Sequence, residues 1–169
     1  FPYNQNSCEQ QPSQQQVASA GQYKMKGYNR LTVSGDDYKN DINAVKQHIA
    51  AGAPVVIGMF VTRSFTEGMM GKKLWRPSRE DYSGPNLGGH CMCLIGYDDN
   101  LEGGAFQIMN SWGPEWGESG KGWIKYADFL HFTQEAYGTY PMGAAKISDK
   151  KLSAVLGLVN VDAKQYIPL

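Results

Sequence analysis

An excess of charge of either sign is the first thing missing: Lys and Arg together number 16, Asp and Glu 16, and the formal net charge is zero. That balance argues against a nucleic-acid partner, because neutralising phosphates takes a clear basic excess. No apolar run comes near the ~20 residues that a membrane-spanning helix needs. Cysteine is scarce, with Cys8, Cys91 and Cys93 the three in the chain. An odd number leaves one thiol unpaired within the chain, or bonded to sulfur elsewhere. Cys91 and Cys93 are too close for an ordinary disulfide within one strand, which leaves Cys8 as the candidate for an outside partner. The opening Phe1-Pro2-Tyr3-Asn4 has neither the charged nor the apolar region of a signal peptide, as would also hold for a mature or clipped chain.

What is present reads as one ordinary folded domain: 169 residues, 41% apolar and 19% charged, with enough length to bury a core. Residues 1–20 are rich in Gln, Ser and Asn without an apolar period and read as an irregular crossing segment. Residues 23–33 alternate loosely and suit a strand. Ser34-Gly35-Asp36-Asp37 offers side-chain oxygens for a helix start, and Ile42, Val45 and Ile49 then recur at helical spacing before Gly52 and Pro54 end the helix. Residues 54–61 are a continuous, β-rich apolar run and read as a buried strand. Residues 62–89 read as a long loop. Strands are expected at 91–97, 105–109 and 122–126, the first two joined in a hairpin, followed by a short helix capped by Asp128 and running through Phe129, Phe132 and Ala136. Beyond Tyr140-Pro141-Met142-Gly143 the texture changes, and 152–159 with 166–169 suggest two strands that begin a further β-rich domain or extension. The division expected is thus 1–143 and 144–169.

Three strings carry chemistry. They are Gly52-Ala53-Pro54-Val55-Val56-Ile57, then Gly89-His90-Cys91-Met92-Cys93-Leu94-Ile95-Gly96-Tyr97, then Gln107-Ile108-Met109-Asn110-Ser111-Trp112-Gly113-Pro114-Glu115-Trp116-Gly117. Alone, a His at a strand start is an ordinary structural residue, Asn-Ser is a turn signal, and Trp beside Gly is ordinary core and turn. In this order they resemble the C-terminal, His- and Asn-bearing half of papain-like cysteine peptidases, in a bacterial-type variant. Phe1-Pro2-Tyr3 with Cys8 resembles the segment that crosses from that family's helical half into its barrel half, so that the likeness covers residues 1–140 or so.

The resemblance implies an α+β fold: an antiparallel, partly barrel-like half with one main helix and a C-terminal β segment. It implies hydrolysis of peptide or protein substrates by a thiolate, in an extracytoplasmic or secreted setting, with no cofactor and no metal. His90 would hold the thiolate and protonate the leaving amine, Asn110 would orient the imidazole, and Trp112 would shield their hydrogen bond from water. By position, Gly58, Met59, Gly88 and Gly89 would lie near the pocket for the substrate side chain preceding the scissile residue, with room for a bulky apolar group. Glycines that serve backbone geometry alone fit equally well.

The departure from the family is as informative. Its nucleophilic Cys, in a Gly-Ser-Cys-Trp type motif at a helix N-terminus, and the oxyanion Gln before it have no counterpart in these 169 residues. Cys8 matches instead a family cysteine that pairs with the helical half. Cys91 and Cys93 point away from His90, because neighbouring strand residues face opposite ways. The same divergence argues against a zinc site there, and the thiols read as small buried hydrophobes. The expectation is therefore a half-domain that needs a separate Cys-bearing helical half. The alternative is an inactive remnant serving as a binding or structural module.

Overall fold

The computed structural model describes residues 9–33, 39–141 and 166–168. In chain order these form helix α1 (Gln14–Ala20), strands β1 (Met25–Arg30), β2 (Thr32–Val33) and β3 (Lys39–Asn40), helix α2 (Ile42–Ala50) and strand β4 (Val55–Val61). There follow the short helices α3 (Arg63–Thr66) and α4 (Arg79–Ser83), strands β5 (Gly88–Asp98), β6 (Ala105–Met109) and β7 (Lys121–Lys125), helix α5 (Tyr126–Phe132), and strands β8 (Thr133–Pro141) and β9 (Tyr166–Pro168). The class is α+β, as the sequence led us to expect. Seven strands make one antiparallel sheet in the order β7-β6-β5-β4-β8-β1-β9, while β2 and β3 pair separately.

Strand β4 owes its central place to its side chains. Val55, Ile57, Met59 and Val61 alternate inward, and β-branched residues suit a pleated, packed surface. They meet Met92 and Leu94 of β5, Phe106 and Ile108 of β6 and Ile124 of β7, beneath Val45 of α2 and Phe129 and Phe132 of α5. Helix α2 begins one residue after Asp41, whose carboxylate accepts from the N–H groups of Asn43 and Ala44. The start read at residues 34–37 lies outside the described residues. The stripe of Ile42, Val45 and Ile49 does face the core, joined by His48, which is completely buried.

Three local readings are corrected. Residues 14–20 are helical rather than irregular: Ser13 accepts from the Gln16 N–H and the Gln16 side chain accepts from the Ser13 N–H, a reciprocal cap strong enough to start a helix that buries none of its own residues. Residues 62–89 are not an open loop. Phe65, Met69 and Trp75 are fully buried, and the backbone of Lys73 and Trp75 exchanges hydrogen bonds with Trp123 along the outer edge of β7, covering an edge that would otherwise be exposed. Helix α5 ends at Phe132 rather than passing through Ala136. Its N-cap position is Lys125, while Asp128 sits buried in the first turn, where the Tyr82 hydroxyl donates to it.

Ala136 belongs instead to β8, a nine-residue strand hydrogen-bonded to β4 on one side and β1 on the other. Its sequence, Thr-Gln-Glu-Ala-Tyr-Gly-Thr-Tyr-Pro, has little apolar character, and pairing on both sides supplies what the side chains lack. The expected strand at 152–159 lies outside the described residues. Tyr166–Pro168 pairs antiparallel with β1 at the edge of the same sheet.

Candidate active site

Strands β5 and β6 form the hairpin that brings His90 and Asn110 together. Cys93 stands opposite Met109, so the residue after Met109 shares a face with Met92 and His90 by the twofold strand period. The Asn110 N–H donates to the Gly120 carbonyl at 2.9 Å, which holds the chain where it leaves the strand. The His90 Nε2 then lies 2.8 Å from Asn110 Oδ1. The Ser111 backbone N–H donates to the same oxygen at 2.7 Å, which fixes that atom as the acceptor. Nε2 therefore carries the proton, and Nδ1 is the nitrogen left facing a further partner.

Trp112 lies flat on the His90 ring, with centroids 4.2 Å apart and planes 18° from parallel. Its indole is 40% exposed, so it closes one side of the imidazole while meeting solvent itself. Behind it stand Phe65, at 6.0 Å, and Trp116, at 6.1 Å, both edge-on. Trp116 is fully buried and donates its indole N–H to the Phe65 carbonyl at 2.9 Å. Two glycines after Trp116 let the chain pack closely around it. Gly117 has φ +64°, and a side chain there would run into the Lys121 carbonyl. At Gly122 a Cβ would come within 2.8 Å of the Met69 methyl and 3.0 Å of the Trp116 ring. The support residues Phe65 and Trp116 had no role assigned from sequence, although Trp116 lies in the signature string; Phe65 stands in a segment without periodicity.

The four residues expected near a substrate pocket separate. Gly88 and Gly89 lie at the start of β5 with open space where a side chain would begin, Gly88 at φ +122°. Met59, opposite His90, points into the core and is 1% exposed. Gly58 is paired with Cys91 on one side and Glu135 on the other. The space beside it is not open for an apolar group: a Cβ there would lie 3.1 Å from both Cγ and Oε1 of Glu135.

The two strand thiols are free and turn to the face opposite Met92 and Leu94. Cys93 is half-buried, and burial pushes its thiol above the usual range, away from the thiolate form that nucleophilic attack requires. Cys91 is exposed, so the reading of both as buried hydrophobes is corrected: this face of β5 is open among the described residues. Cys8 lies outside them. Among the described residues no helix is long and apolar enough to cross a membrane.

Comparison with known proteins agrees with this architecture. The family model described as Papain family cysteine protease matches residues 1–140. An uncharacterized peptidase C1-like protein of Acanthamoeba polyphaga mimivirus is 31% identical over 94 residues, covering 55% of this chain and 29% of that protein. A cathepsin B-like protein of Giardia intestinalis is 31% identical over 101 residues, covering 58% of this chain and 29% of that protein. Among solved structures, xylellain, a cysteine protease from Xylella fastidiosa, superposes with a TM-score of 0.59 at 30% identity, covering 81% of this chain and 47% of that one. The chain thus spans under a third of the length of these curated relatives. With the match running over residues 1–140, the chain belongs to the papain family of cysteine proteases.

Proposed function

We propose that this chain supplies the imidazole side of a cysteine endopeptidase site, with His90 as the proton-transfer group and Asn110 as its orienting partner, completed by a thiol on a separate Cys-bearing helical half. The observation that carries the reading is the His90 Nε2 to Asn110 Oδ1 hydrogen bond of 2.8 Å beneath a stacked Trp112. It leaves Nδ1 as the working nitrogen. In the reaction Nδ1 takes the proton of the thiol, and the thiolate sulfur bonds to the peptide carbonyl carbon. The imidazolium then returns that proton to the leaving amine as the C–N bond breaks. Water, deprotonated by the same nitrogen, hydrolyses the thioester. The Asn110 bond keeps the ring in the tautomer and orientation that both transfers need, and the indole keeps competing water from one face of it.

The companion half matters because the nucleophile has no candidate here: Cys91 and Cys93 diverge from His90, and Cys8 matches a family cysteine that bridges to the helical half. The partners in this reading are that half, cleaved or continuous, and a peptide or protein substrate, in an extracytoplasmic or secreted setting. The 169-residue chain alone hydrolyses no peptide amide or ester, whereas addition of the helical half restores turnover and His90→Ala abolishes it. Steady hydrolysis by the rigorously pure chain would refute the divided site. Binding of peptides without turnover by the assembled protein would make the chain a peptidase remnant that serves as a binding module.

A further inference from the structure

The segment between β4 and β5 holds the string that carries Asn110 at several points. The Gly117 N–H donates to the Met69 carbonyl at 2.9 Å, and the Gly71 N–H to the Glu115 carbonyl at 3.2 Å. The same segment supplies Phe65, whose ring stands edge-on to Trp75 at 5.0 Å and to Trp112 at 6.0 Å. Trp112 in turn lies flat on His90. The indole that covers the imidazole thus rests in part on a stretch of chain outside the β5–β6 hairpin, and its tilt depends on how firmly that stretch is held.

One carboxylate holds it. Asp81, in the first turn of α4, accepts at Oδ2 from the Ser78 N–H at 2.7 Å, the Ser78 hydroxyl at 2.9 Å and the Ser64 hydroxyl at 2.8 Å. Ser64 accepts in turn from the Trp75 indole N–H at 2.9 Å. The bonds run one way, from indole to hydroxyl to carboxylate, and in such a chain each bond polarises the next. Burial works against the Asp81 charge, but the Thr62, Ser78 and Ser64 donors outweigh it and hold the carboxyl below its usual range. A reciprocal helix cap asks of this position only a bond to the cap's own N–H. The further bond to Ser64 does something else: it ties α4 to Trp75, and through Trp75 to Phe65 and Trp112.

We infer that Asp81 is a positioning residue for the His90 reaction: through Ser64, Trp75 and Phe65 it sets the Trp112 indole over the imidazole and so keeps water from the His90–Asn110 bond. Neither Asp81 nor Ser64 touches the reacting atoms, so loss of either loosens the geometry of proton transfer without removing a reacting group. The effect on rate rests on the peptidase reading above, whereas the placing of the indole rests on the hydrogen-bonded chain itself.

The test compares Asp81→Asn and Ser64→Ala in the assembled peptidase, helical half included. Ser64→Ala deletes the link and leaves the α4 cap untouched, so it decides the matter should Asp81→Asn fail to fold. Each variant lowers kcat about tenfold while KM stays within about twofold, the pattern for lost transition-state geometry rather than lost binding. In a Trp112→Ala background neither costs more than about twofold further, because the indole they position is gone. A second readout needs no turnover: the proton on His90 Nε2, followed by NMR and assigned by its loss in His90→Ala, exchanges with water at least about tenfold faster in both variants. An unchanged exchange rate overturns the assignment whatever the kcat. So does an unaltered kcat in a protein whose turnover needs His90, and so does a full, additive loss in the Trp112→Ala background, which would make Asp81 a support of folding only. Failure of the peptidase reading shows separately, as turnover that survives His90→Ala or is absent from the assembled protein, and the exchange rates then decide the role of Asp81 by themselves.

Discussion

Lowering the pH below neutrality loosens this fold through His48, a residue outside the candidate active site. The ring is fully buried in α2, with Nε2 3.1 Å from the Thr139 carbonyl and its edge against Tyr140 at 5.0 Å. Nε2 must donate there, which leaves Nδ1 as a bare nitrogen; it is buried and has no hydrogen-bond partner. There is no slack around it, since a Cβ on Gly138 would stand 2.6 Å from two ring atoms. Protonating Nδ1 would strand a buried N–H and a charge, and burial accordingly lowers the His48 pKa, offset in part by the Thr139 bond. The unfolded ring titrates near ~6.5. Above that pH neither state binds the proton and the stability from this residue is complete. Below it the unfolded chain takes up a proton that the native ring refuses, so stability falls by up to about 1.4 kcal/mol per pH unit until the folded pKa is reached. Urea melts at pH 7.5, 6.5, 5.5 and 5.0 measure this, set against His48→Gln, which keeps a donor for Thr139 without a titrating group. Carboxylates that sit below their usual range, such as Asp81 and Asp99, destabilise both proteins alike on acidification and cancel in the difference. Parallel stability curves for the two proteins between pH 6.5 and 5.0 would refute the reasoning.

Three further outcomes follow from the geometry. In the assembled peptidase, His90→Ala removes proton transfer, a loss of at least ~10²–10⁴-fold in kcat/KM; Asn110→Ala removes only the bond that orients the ring, so it retains measurable rate with a displaced pH profile, and a variant as inactive as His90→Ala would contradict that division of roles. Trp116→Ala empties a fully buried site and breaks the bond to Phe65, costing about 3–5 kcal/mol in denaturant melts, and a loss under about 1 kcal/mol would show that Trp116 is not a support of the site. Lys46→Ala removes an ion pair to Asp99 whose side chains are 23% and 53% exposed, so it costs little in denaturant melts, and less at high salt; a large, salt-independent loss would show that its contacts with the Tyr97 and Tyr126 rings dominate instead.

The sequence was most legible where a feature is local and its residues are few. Asn110-Ser111-Trp112-Gly113 and Trp116-Gly117 form a string with little freedom, because the two indoles, the buried N–H bond and the turn at Gly117 all constrain it together. The hairpin of β5 and β6 was equally plain, since two short apolar runs, 91–97 and 105–109, flank a turn that ends in Gly103-Gly104. Legibility was lost where stability comes from across the sheet. Strand β8 has Gln, Glu, Gly and Thr among its nine residues, and its identity rests on having β4 and β1 as neighbours, a fact no window of sequence contains. The misreading of Ala136 as the end of a helix then hid everything the strand positions. Glu135 can be seen beside Gly58 only once the register and the bulge at Gln134 are known, because a shift of one residue would turn its carboxylate to the opposite face. The proposed His90–Asn110 pair is therefore written in a motif, whereas the neighbours of Gly58 are written in a register. Substitutions at Gln134 that remove the bulge should turn the Glu135 side chain away from Gly58 while leaving the His90–Asn110 hairpin, two strands away, in place.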